Sequence, residues 1–279
     1  MRAVRRVRVD AVRLSENASR LAELVGDFYC VVKCDAYGHG LEDAVRAFYE
    51  ADRRSFAVCS AEEAVRVKNT VKDAEVLILG RTEPEYLPEL AERGIKQTVF
   101  SLEYAEAVKT TLAPLKVHIK LDTGMNRSGF TEDAQVIKKA FSGFRGAIEG
   151  VYTHFSSADH ASLSNTEKQL SDFVLRSNGL SLSLGHGLKR HAAASAAALR
   201  MKTARLDGCR IGLALYGIAP DNCNGLCRLL PAMSFTAPID TGHIKQVNSY
   251  FGRNPLLCEC NSGAVFNLCF FSACKSVYK

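Results

Sequence analysis

Short apolar, strand-like runs alternate with amphipathic, helix-like segments through most of the chain. The strand-like runs lie at 28–33, 56–59, 76–79, 98–100, 117–121, 149–154, 188–192 and 209–215. Strict alternation of this kind predicts parallel strands joined by crossover helices. About eight such units within roughly 210 residues match the requirement of a closed barrel. The pattern therefore predicts an α/β fold, a (β/α)8 barrel of the TIM type.

A doubly wound open sheet is the structural alternative, because it shows the same alternation. The nucleotide-binding glycine motifs of that class are missing: no G-x-G-x-x-G follows the first strand, and no G-x-x-x-x-G-K-[ST] occurs. The helical segments have plausible starts, with Ser60, Ser101, Thr131 and Asn165 placed as N-caps.

Composition and charge limit the classes of partner. The 279 residues are 47% hydrophobic and 24% charged, with a formal net charge of +6, as in a globular protein with a sizeable core. Nucleic-acid binding needs a clustered basic face, which this mild charge does not indicate. The start, MRAVRRVRVD, lacks a signal-peptide core, and no apolar run is long enough to span a bilayer. We therefore expect a cytoplasmic protein without a nucleic-acid or membrane partner.

The cysteines are unevenly distributed. Four of the ten precede residue 220, mostly in apolar runs, as free buried thiols usually do. The other six are Cys223, Cys227, Cys258, Cys260, Cys269 and Cys274. Their C-x3-C and C-x-C spacings, with no histidine at ligand distance, match zinc modules poorly. We expect no metal site.

Polar residues interrupt the apolar pattern at five predicted strand ends. They are Lys33 with Tyr37, Lys120 with Arg127, His154, His191 with Ser195, and Arg210 followed by Tyr216 and Gly217. The carboxyl ends of barrel strands meet at one face, where the active sites of such barrels lie. Any one of these residues could be an ordinary structural polar residue. Their agreement at five strand ends predicts a functional site.

The residue types suggest a particular chemistry. A lysine at a strand end can form a Schiff base with an aldehyde cofactor such as pyridoxal phosphate. Ser195 opens a short helix and could supply hydroxyl and backbone donors for a phosphate, to which Tyr37 could add another. His154 could lie against the cofactor ring. Arg127 suits a carboxylate or the cofactor phenolate, because its guanidinium is a fixed, permanently charged fork.

Five segments carry a family resemblance: VVKCDAYGHG, HIKLDTGMNRSGF, GVYTHFSSAD, HAAASAAAL and CRIGLALYG. In this order and spacing they resemble the barrel domain of pyridoxal-phosphate-dependent alanine racemases, over roughly residues 5 to 240. The resemblance implies a homodimeric isomerase that interconverts L- and D-alanine by two-base proton transfer, supplying D-alanine as for cell-wall synthesis. It also implies a barrel domain over 10–222, with 1–9 and 223–279 as a remnant of a second, β-rich domain plus a cysteine-rich tail.

The resemblance also implies a role for each site residue. Lys33 carries pyridoxal 5'-phosphate as an aldimine and acts as the base on the D-side. Tyr37 and Ser195, with the backbone near Gly212 and Leu213, hold the phosphate. His154 lies beside the ring. Arg127 binds the phenolate oxygen and the substrate carboxylate, and Lys120 (carbamylated in some members) positions Arg127. Arg210 faces the pyridine nitrogen, with His191 behind it.

Arg210 has a physical consequence in this role. Arginine carries donors only and does not deprotonate in proteins, so it does not leave a full proton on the pyridine nitrogen as an aspartate would. The ring is then a weaker electron sink. That balance disfavours transamination and favours simple removal and return of a proton, as a racemase requires.

The sequence departs from the family pattern near its end and at two other positions. After Tyr250 it reads FGRNPLLCECNSGAVFNLCFFSACKSVYK, which does not match the family. Tyr250 is either the second base, in an altered version of the family's catalytic tyrosine segment, or part of an aberrant tail, the reading we favour. Asn126 replaces a usual glycine, and Asn tolerates unusual φ. Ala194 replaces a usual asparagine near the phosphate end.

Two other functions compete with the racemase. One is a pyridoxal-phosphate-binding, racemase-like protein with little or no racemase activity, which the atypical tail motivates. The other is a fold-type III decarboxylase, which shares the barrel. The DTGMNRSGF and RIGLALYG segments follow the racemase version, so we prefer the racemase.

Overall fold

A computed structural model describes residues 6–111 and 113–236. The chain divides into two compact units, Ala11–Leu230 and a smaller one whose described parts are 6–10 and 231–236. The described strands are β1 (Arg6–Val9), β2 (Phe28–Val31), β3 (Ser55–Val58), β4 (Glu75–Ile78), β5 (Lys96–Val99), β6 (Lys116–Lys120), β7 (Ala147–Tyr152), β8 (Lys189–His191), β9 (Cys209–Ile211) and β10 (Met233–Thr236). Within 6–111 and 113–236, no helix has both the length and the apolar character needed to cross a membrane.

The larger unit is a barrel. Strands β2 to β9 form one parallel sheet in the order β9-β2-β3-β4-β5-β6-β7-β8. The two end strands meet just beyond β8, where Ala194 pairs with Arg210 of β9 and the Arg210 amide donates to the Ala193 carbonyl at 2.9 Å. The sheet is therefore nearly closed. The predicted (β/α)8 fold is confirmed and the open-sheet alternative is wrong.

Helices surround the barrel. The described helices are α1 (Ala11–Val25), α2 (Lys33–Gly38), α3 (Leu41–Glu50), α4 (Ala61–Thr70), α5 (Leu87–Glu92), α6 (Leu102–Lys109), α7 (Ala134–Ala140), α8 (Ser164–Leu184) and α9 (Ser195–Arg200), with 3-10 turns at Pro84–Tyr86, Lys202–Ala204 and Leu213–Tyr216. On α1, Leu14, Ala18 and Leu21 are fully buried, at the spacing of one helix face.

Two of the four predicted N-caps are confirmed. The hydroxyls of Ser60 and Ser101 accept from backbone amides in the first turns of α4 and α6. Thr131 is not a cap, because the Asp133 carboxylate already accepts from two amides of α7. Asn165 lies inside α8, and its amide donates instead to the hydroxyls of two serines in the preceding loop.

The smaller unit contains one strand pair in its described part. β1 pairs antiparallel with β10, with Arg6 opposite Thr236 and Val9 opposite Met233. Arginine and valine alternate along β1, a pattern typical of a half-buried strand. Val7 is nevertheless 58% exposed.

The chain leaves β2 through a left-handed turn. The strand ends at Val31, so the prediction that it continues to Lys33 is wrong. Lys33 begins α2, where four successive residues have left-handed backbone angles: Cys34 (φ 54°, ψ 54°), Asp35 (52°, 49°), Ala36 (53°, 48°) and Tyr37 (56°, 34°). A left-handed conformation costs an L-residue about 1–2 kcal/mol, and a run of four is unusual. The turn is therefore a strained segment directly after Lys33.

Charged side chains brace this turn from outside. The Asp35 carboxylate accepts from the Leu41 amide at 3.1 Å and from the Arg66 guanidinium at 3.0 Å. Arg66 also makes two hydrogen bonds to the Glu42 carboxylate, at 2.7 and 2.8 Å. The Glu63 carboxylate accepts from the Asp35 amide at 3.3 Å and from the Cys59 amide, just after β3, at 2.9 Å. These bonds offset part of the backbone strain.

The left-handed turn predicts an unusual response to glycine. Ala36 in the turn and Ala44 in the right-handed helix α3 are both fully buried. Ala44→Gly should lower the free energy of unfolding by about 1 kcal/mol or more. Ala36→Gly should lower it by less, or raise it, because glycine relieves the left-handed penalty. Urea unfolding midpoints of the two variants measure this, and equal losses would contradict the argument.

Candidate active site

The polar residues predicted at strand ends lie at the carboxyl end of the barrel. Lys33 follows β2, Lys120 ends β6, His154 follows β7, Ser195 follows β8, and Arg210 is in β9. Four cations from this end of the barrel act on His154. Burial, followed by the charges of Arg210, Arg127, Lys120 and Lys33, lowers the pKa of His154 well below its usual value. This end of the barrel is therefore cationic, which suits an anionic ligand.

Lys33 is half-buried at the start of the left-handed turn. Its Nζ lies 6.0 Å from the centroid of the Tyr37 ring. Tyr37 in turn packs against Tyr216, with ring centroids 5.0 Å apart, and the Tyr216 hydroxyl donates to the Val31 carbonyl at 2.9 Å. The aromatic pair thus ties the turn to β2 and fixes the direction in which the Lys33 backbone enters the site.

Donors converge beside Tyr37. The Ser195 hydroxyl is buried and accepts from the amides of Gly212 and Ala214, at 3.1 and 3.4 Å. A Cβ at Gly212 would lie 2.6 Å from the Tyr37 hydroxyl, so only glycine lets the phenol approach this backbone. Two hydroxyls and the backbone at Gly212 therefore lie around one small space. That donor set fits a phosphate group.

Arg210 is buried and almost fully satisfied by protein acceptors. One terminal nitrogen donates to the His191 carbonyl at 2.7 Å and to His191 Nδ1 at 2.8 Å. The other donates to the carbonyls of Thr153 and Ala192, at 2.6 and 3.1 Å, and lies 3.4 Å from His154 Nδ1. Among the described residues, the Arg210 Nε–H donates to no protein acceptor. Arg210 thus offers one fixed donor to a ligand acceptor such as a ring nitrogen.

Arg127 and Lys120 belong to one tight loop after β6. The Asp122 carboxylate accepts from three successive amides in this loop, at 2.8, 3.0 and 3.2 Å. Asn126 has a φ of 57°, a left-handed value that asparagine tolerates. Arg127 follows it and is exposed, with no carboxylate partner among residues 6–111 and 113–236. The loop thus presents a guanidinium at the barrel mouth.

Lys120 is buried beneath this loop. Its Nζ donates to the Ser128 hydroxyl at 2.6 Å. Burial, and then the charges of Arg127 and Arg210, lower the pKa of Lys120 to about 8. The neutral amine, the form that reacts with electrophiles, is therefore more populated near neutral pH than in an ordinary lysine.

Known proteins match both the sequence and this fold. A family model described as the alanine racemase N-terminal domain matches residues 9–220. The chain belongs to the alanine racemase family. The alanine racemase of Desulforamulus reducens is 33% identical over 260 residues, which are 87% of this chain and 68% of that protein. That of Carboxydothermus hydrogenoformans is 35% identical over 233 residues, 79% of this chain and 61% of that protein.

Solved alanine racemase structures match the fold as well. The Bacillus anthracis enzyme with bound L-Ala-P has a TM-score of 0.76 and 32% identity, covering 82% of this chain and 62% of that one. The Clostridium difficile 630 enzyme in complex with cycloserine has a TM-score of 0.78 and 29% identity, covering 88% and 70%. The chain thus spans about three fifths to two thirds of the length of the family members it matches.

The structure brings the described residues that the sequence singles out to one end of the barrel. The amides that donate to the Ser195 hydroxyl belong to Gly212 and Ala214, with Leu213 between them. Sequence reasoning missed His118, whose Nδ1 lies 2.8 Å from His191 Nε2, because it alternates with apolar residues in β6 as an interior residue does. Tyr250, the predicted second base, lies outside the described residues.

The depressed pKa of Lys120 predicts a pH-dependent stability difference. An unfolded lysine keeps a pKa near 10.4, so the folded protein binds fewer protons at this site between about pH 8 and 10.4. Its free energy of unfolding should therefore rise with pH in that window. Relative to Lys120→Met, the wild type should gain up to about 3 kcal/mol between about pH 7 and 10.5. Urea titrations at stepped pH measure the difference, and parallel curves would contradict it.

Proposed function

We propose that the chain is a pyridoxal-phosphate-dependent racemase that interconverts L- and D-alanine. Enzymes of the alanine racemase family use this cofactor, and the matched relatives are alanine racemases. The observation that carries the proposal is Lys33, which shares the carboxyl end of the barrel with a phosphate-sized donor set and with buried Arg210. The proposal includes a cofactor domain over 10–222 and a homodimer.

The residues present fit this cofactor. Tyr37 and Ser195, with the backbone near Gly212 and Leu213, would hold its phosphate, and Lys33 would hold it covalently through its amine. The free Nε–H of Arg210 would donate to its pyridine nitrogen. When bound, the cofactor withdraws electrons from the substrate Cα–H bond and so acidifies it.

Arg210 and His154 set the electrostatics around the ring position. Arg210 has only donors, so it hydrogen-bonds a ring nitrogen without giving that nitrogen a full proton. Moderate electron withdrawal favours proton removal and return over transamination. His154 has a lowered pKa and stays neutral among the cations, so it can lie against a planar ring without adding charge.

Arg127 and Lys33 act on the substrate itself. Arg127 can hold the alanine carboxylate, because its guanidinium is exposed at the mouth and has no protein carboxylate partner among the described residues. We assign Lys120, buried beneath the loop that carries Arg127, to the positioning of Arg127. Lys33 removes and returns the α-proton at its Nζ on one face of the substrate. Racemisation needs a second proton carrier on the other face, and Tyr250 is the residue proposed for it.

Covalent labelling tests the role of Lys33. Protein incubated with pyridoxal phosphate should show a visible absorption band that borohydride bleaches. Peptide mapping should then find the pyridoxyl group on Lys33. Lys33→Arg should abolish the label, whereas Lys109→Arg, on the outer helix α6, should keep it. No band, or a label on another lysine, would overturn the cofactor assignment.

Deuterium exchange tests two-base racemisation. In deuterated water, wild-type protein should convert L-alanine into D-alanine carrying deuterium at Cα. Tyr250→Phe should slow this conversion by roughly a hundredfold or more, because general acid–base groups contribute that much. The same variant should still exchange the α-proton of D-alanine through Lys33.

Tyr49→Phe is the matched control, because the Tyr49 hydroxyl only donates to surface Asp73. A Tyr250→Phe variant as fast as wild type would exclude Tyr250 as the second base. If the wild type exchanged the α-proton of alanine but formed no D-alanine, the chain would be a cofactor-binding protein without racemase activity.

A further inference from the structure

Two buried histidines lie in a line behind Arg210 inside the barrel. Arg210 contacts His191 Nδ1 at 2.8 Å, and His191 Nε2 contacts His118 Nδ1 at 2.8 Å. Both imidazoles have no exposed surface. The three side chains come from β9, β8 and β6, so the line crosses the barrel interior from the site toward the opposite end.

The two contacts of His191, with Arg210 and with His118, together fix the tautomers of both rings. Because arginine has no acceptor, His191 Nδ1 must be unprotonated and accept from Arg210. Neutral His191 then carries its proton on Nε2 and donates it to His118 Nδ1. His118 in turn is unprotonated at Nδ1 and carries its proton on Nε2. The donor-only Arg210 on one side of His191 and the acceptor His118 Nδ1 on the other thus order the protons along the line.

The packing holds His118 in this position. A Cβ at Gly150 would lie 2.5 to 2.9 Å from three atoms of the His118 ring, so glycine on β7 leaves the space that the ring occupies. Tyr29 packs edge-on at a centroid distance of 6.2 Å. His118 Nε2 is buried and has no protein partner among the described residues. That unpaired donor is explained by the tautomer that the line imposes from the Arg210 end.

The surroundings keep both rings neutral. Burial lowers the pKa of His118 to about 3 and that of His191 well below its usual value. A second proton on either ring would also place two N–H groups against each other. The other charged and titratable groups around the pair are Tyr29 on β2, Glu75 on β4, Lys96 on β5, Glu149 and Tyr152 on β7, Lys189 on β8 and Arg210 on β9.

We propose that His118 is a positioning residue: it holds His191 as the Nε2–H tautomer, so that His191 Nδ1 remains the acceptor that orients Arg210. The order of protons follows from the hydrogen bonds alone. Its effect on catalysis rests on the proposed function, through the donor that Arg210 presents to the cofactor ring.

Nitrogen-15 NMR of cofactor-free, histidine-labelled protein tests the proton order. Long-range proton–nitrogen correlations distinguish a protonated ring nitrogen from a bare one. We expect His118 and His191 each to show a protonated Nε2 and a bare Nδ1, unchanged between about pH 6 and 9. An Nδ1–H tautomer or an imidazolium at either residue in this range would overturn the proposal. This measurement does not depend on cofactor binding or on racemase activity.

Two variants of His118 test its positioning role. His118→Leu removes the acceptor, so the His191 signals should become a mixture of tautomers. His118→Asn places an amide oxygen near the lost Nδ1 and should restore the single tautomer. Exposed His160→Leu should change nothing. If His118→Leu folds, as judged by circular dichroism, and His191 keeps one tautomer, the positioning role is refuted.

Loaded enzyme provides a second measurement. In His118→Leu, kcat should fall about tenfold, as when a partner that orients a functional imidazole is removed. KM for alanine should change little, because Arg127 and Lys33 are untouched, and His118→Asn should recover most of kcat. Equal kcat in wild type and His118→Leu would contradict the proposed effect of His118 on catalysis. A protein that binds no cofactor but shows the predicted tautomers would refute the proposed function and leave the proton order standing.

Discussion

The buried guanidinium of Arg210 is the interaction on which barrel and site both depend. Its acceptors are the carbonyls of Thr153, His191 and Ala192 and the ring of His191, and the Tyr152 ring lies 4.7 Å away. The Arg210 backbone also closes the sheet against Ala193. A buried cation is costly unless its hydrogen bonds are complete. The end of β8 must therefore hold its carbonyls toward β9, and the same geometry leaves Nε–H for the ligand.

The left-handed turn after Lys33 is a second constraint on the site, beside the hydrogen bonds of Arg210. Strained backbone persists only where the surroundings over-determine it, and it is concentrated at functional sites. Here Asp35, Arg66 and Glu63 tie the turn to the helices α3 and α4 and to the end of β3. A relaxed right-handed turn would direct the chain differently after β2. The strain thus places Lys33 and Tyr37 relative to the amides beside Ser195.

Sequence reasoning reached the barrel because periodicity is a property of many residues together. It located Lys33, His154, Ser195 and Arg210 because a polar residue at the end of an apolar run is visible locally. It misjudged the end of β2, since Cys34 and Ala36 have no glycine-like signature of left-handed backbone. It also missed the bond between His118 and His191, which lie 73 residues apart and meet only across the closed barrel. Alternation in a strand indicates that a side chain faces the barrel interior, but it does not indicate which side chains it contacts.

Charged side chains also fill part of the barrel interior, beside the two histidines. Below the histidines, Lys96 pairs with Glu75 at 3.0 Å and with Glu149 at 2.9 Å, and the Tyr29 hydroxyl donates to Glu75. Apolar residues would usually fill this space and would often be as stable or more so. Apolar residues in this layer would leave the hydrogen bond between the two histidines in place but would remove the charges that surround it. The neutral histidines connect the cationic mouth to this compensated ionic layer without adding another charge. The proton order is therefore held by the contacts of His191 with Arg210 and His118, since His118 Nε2 has no protein partner among the described residues.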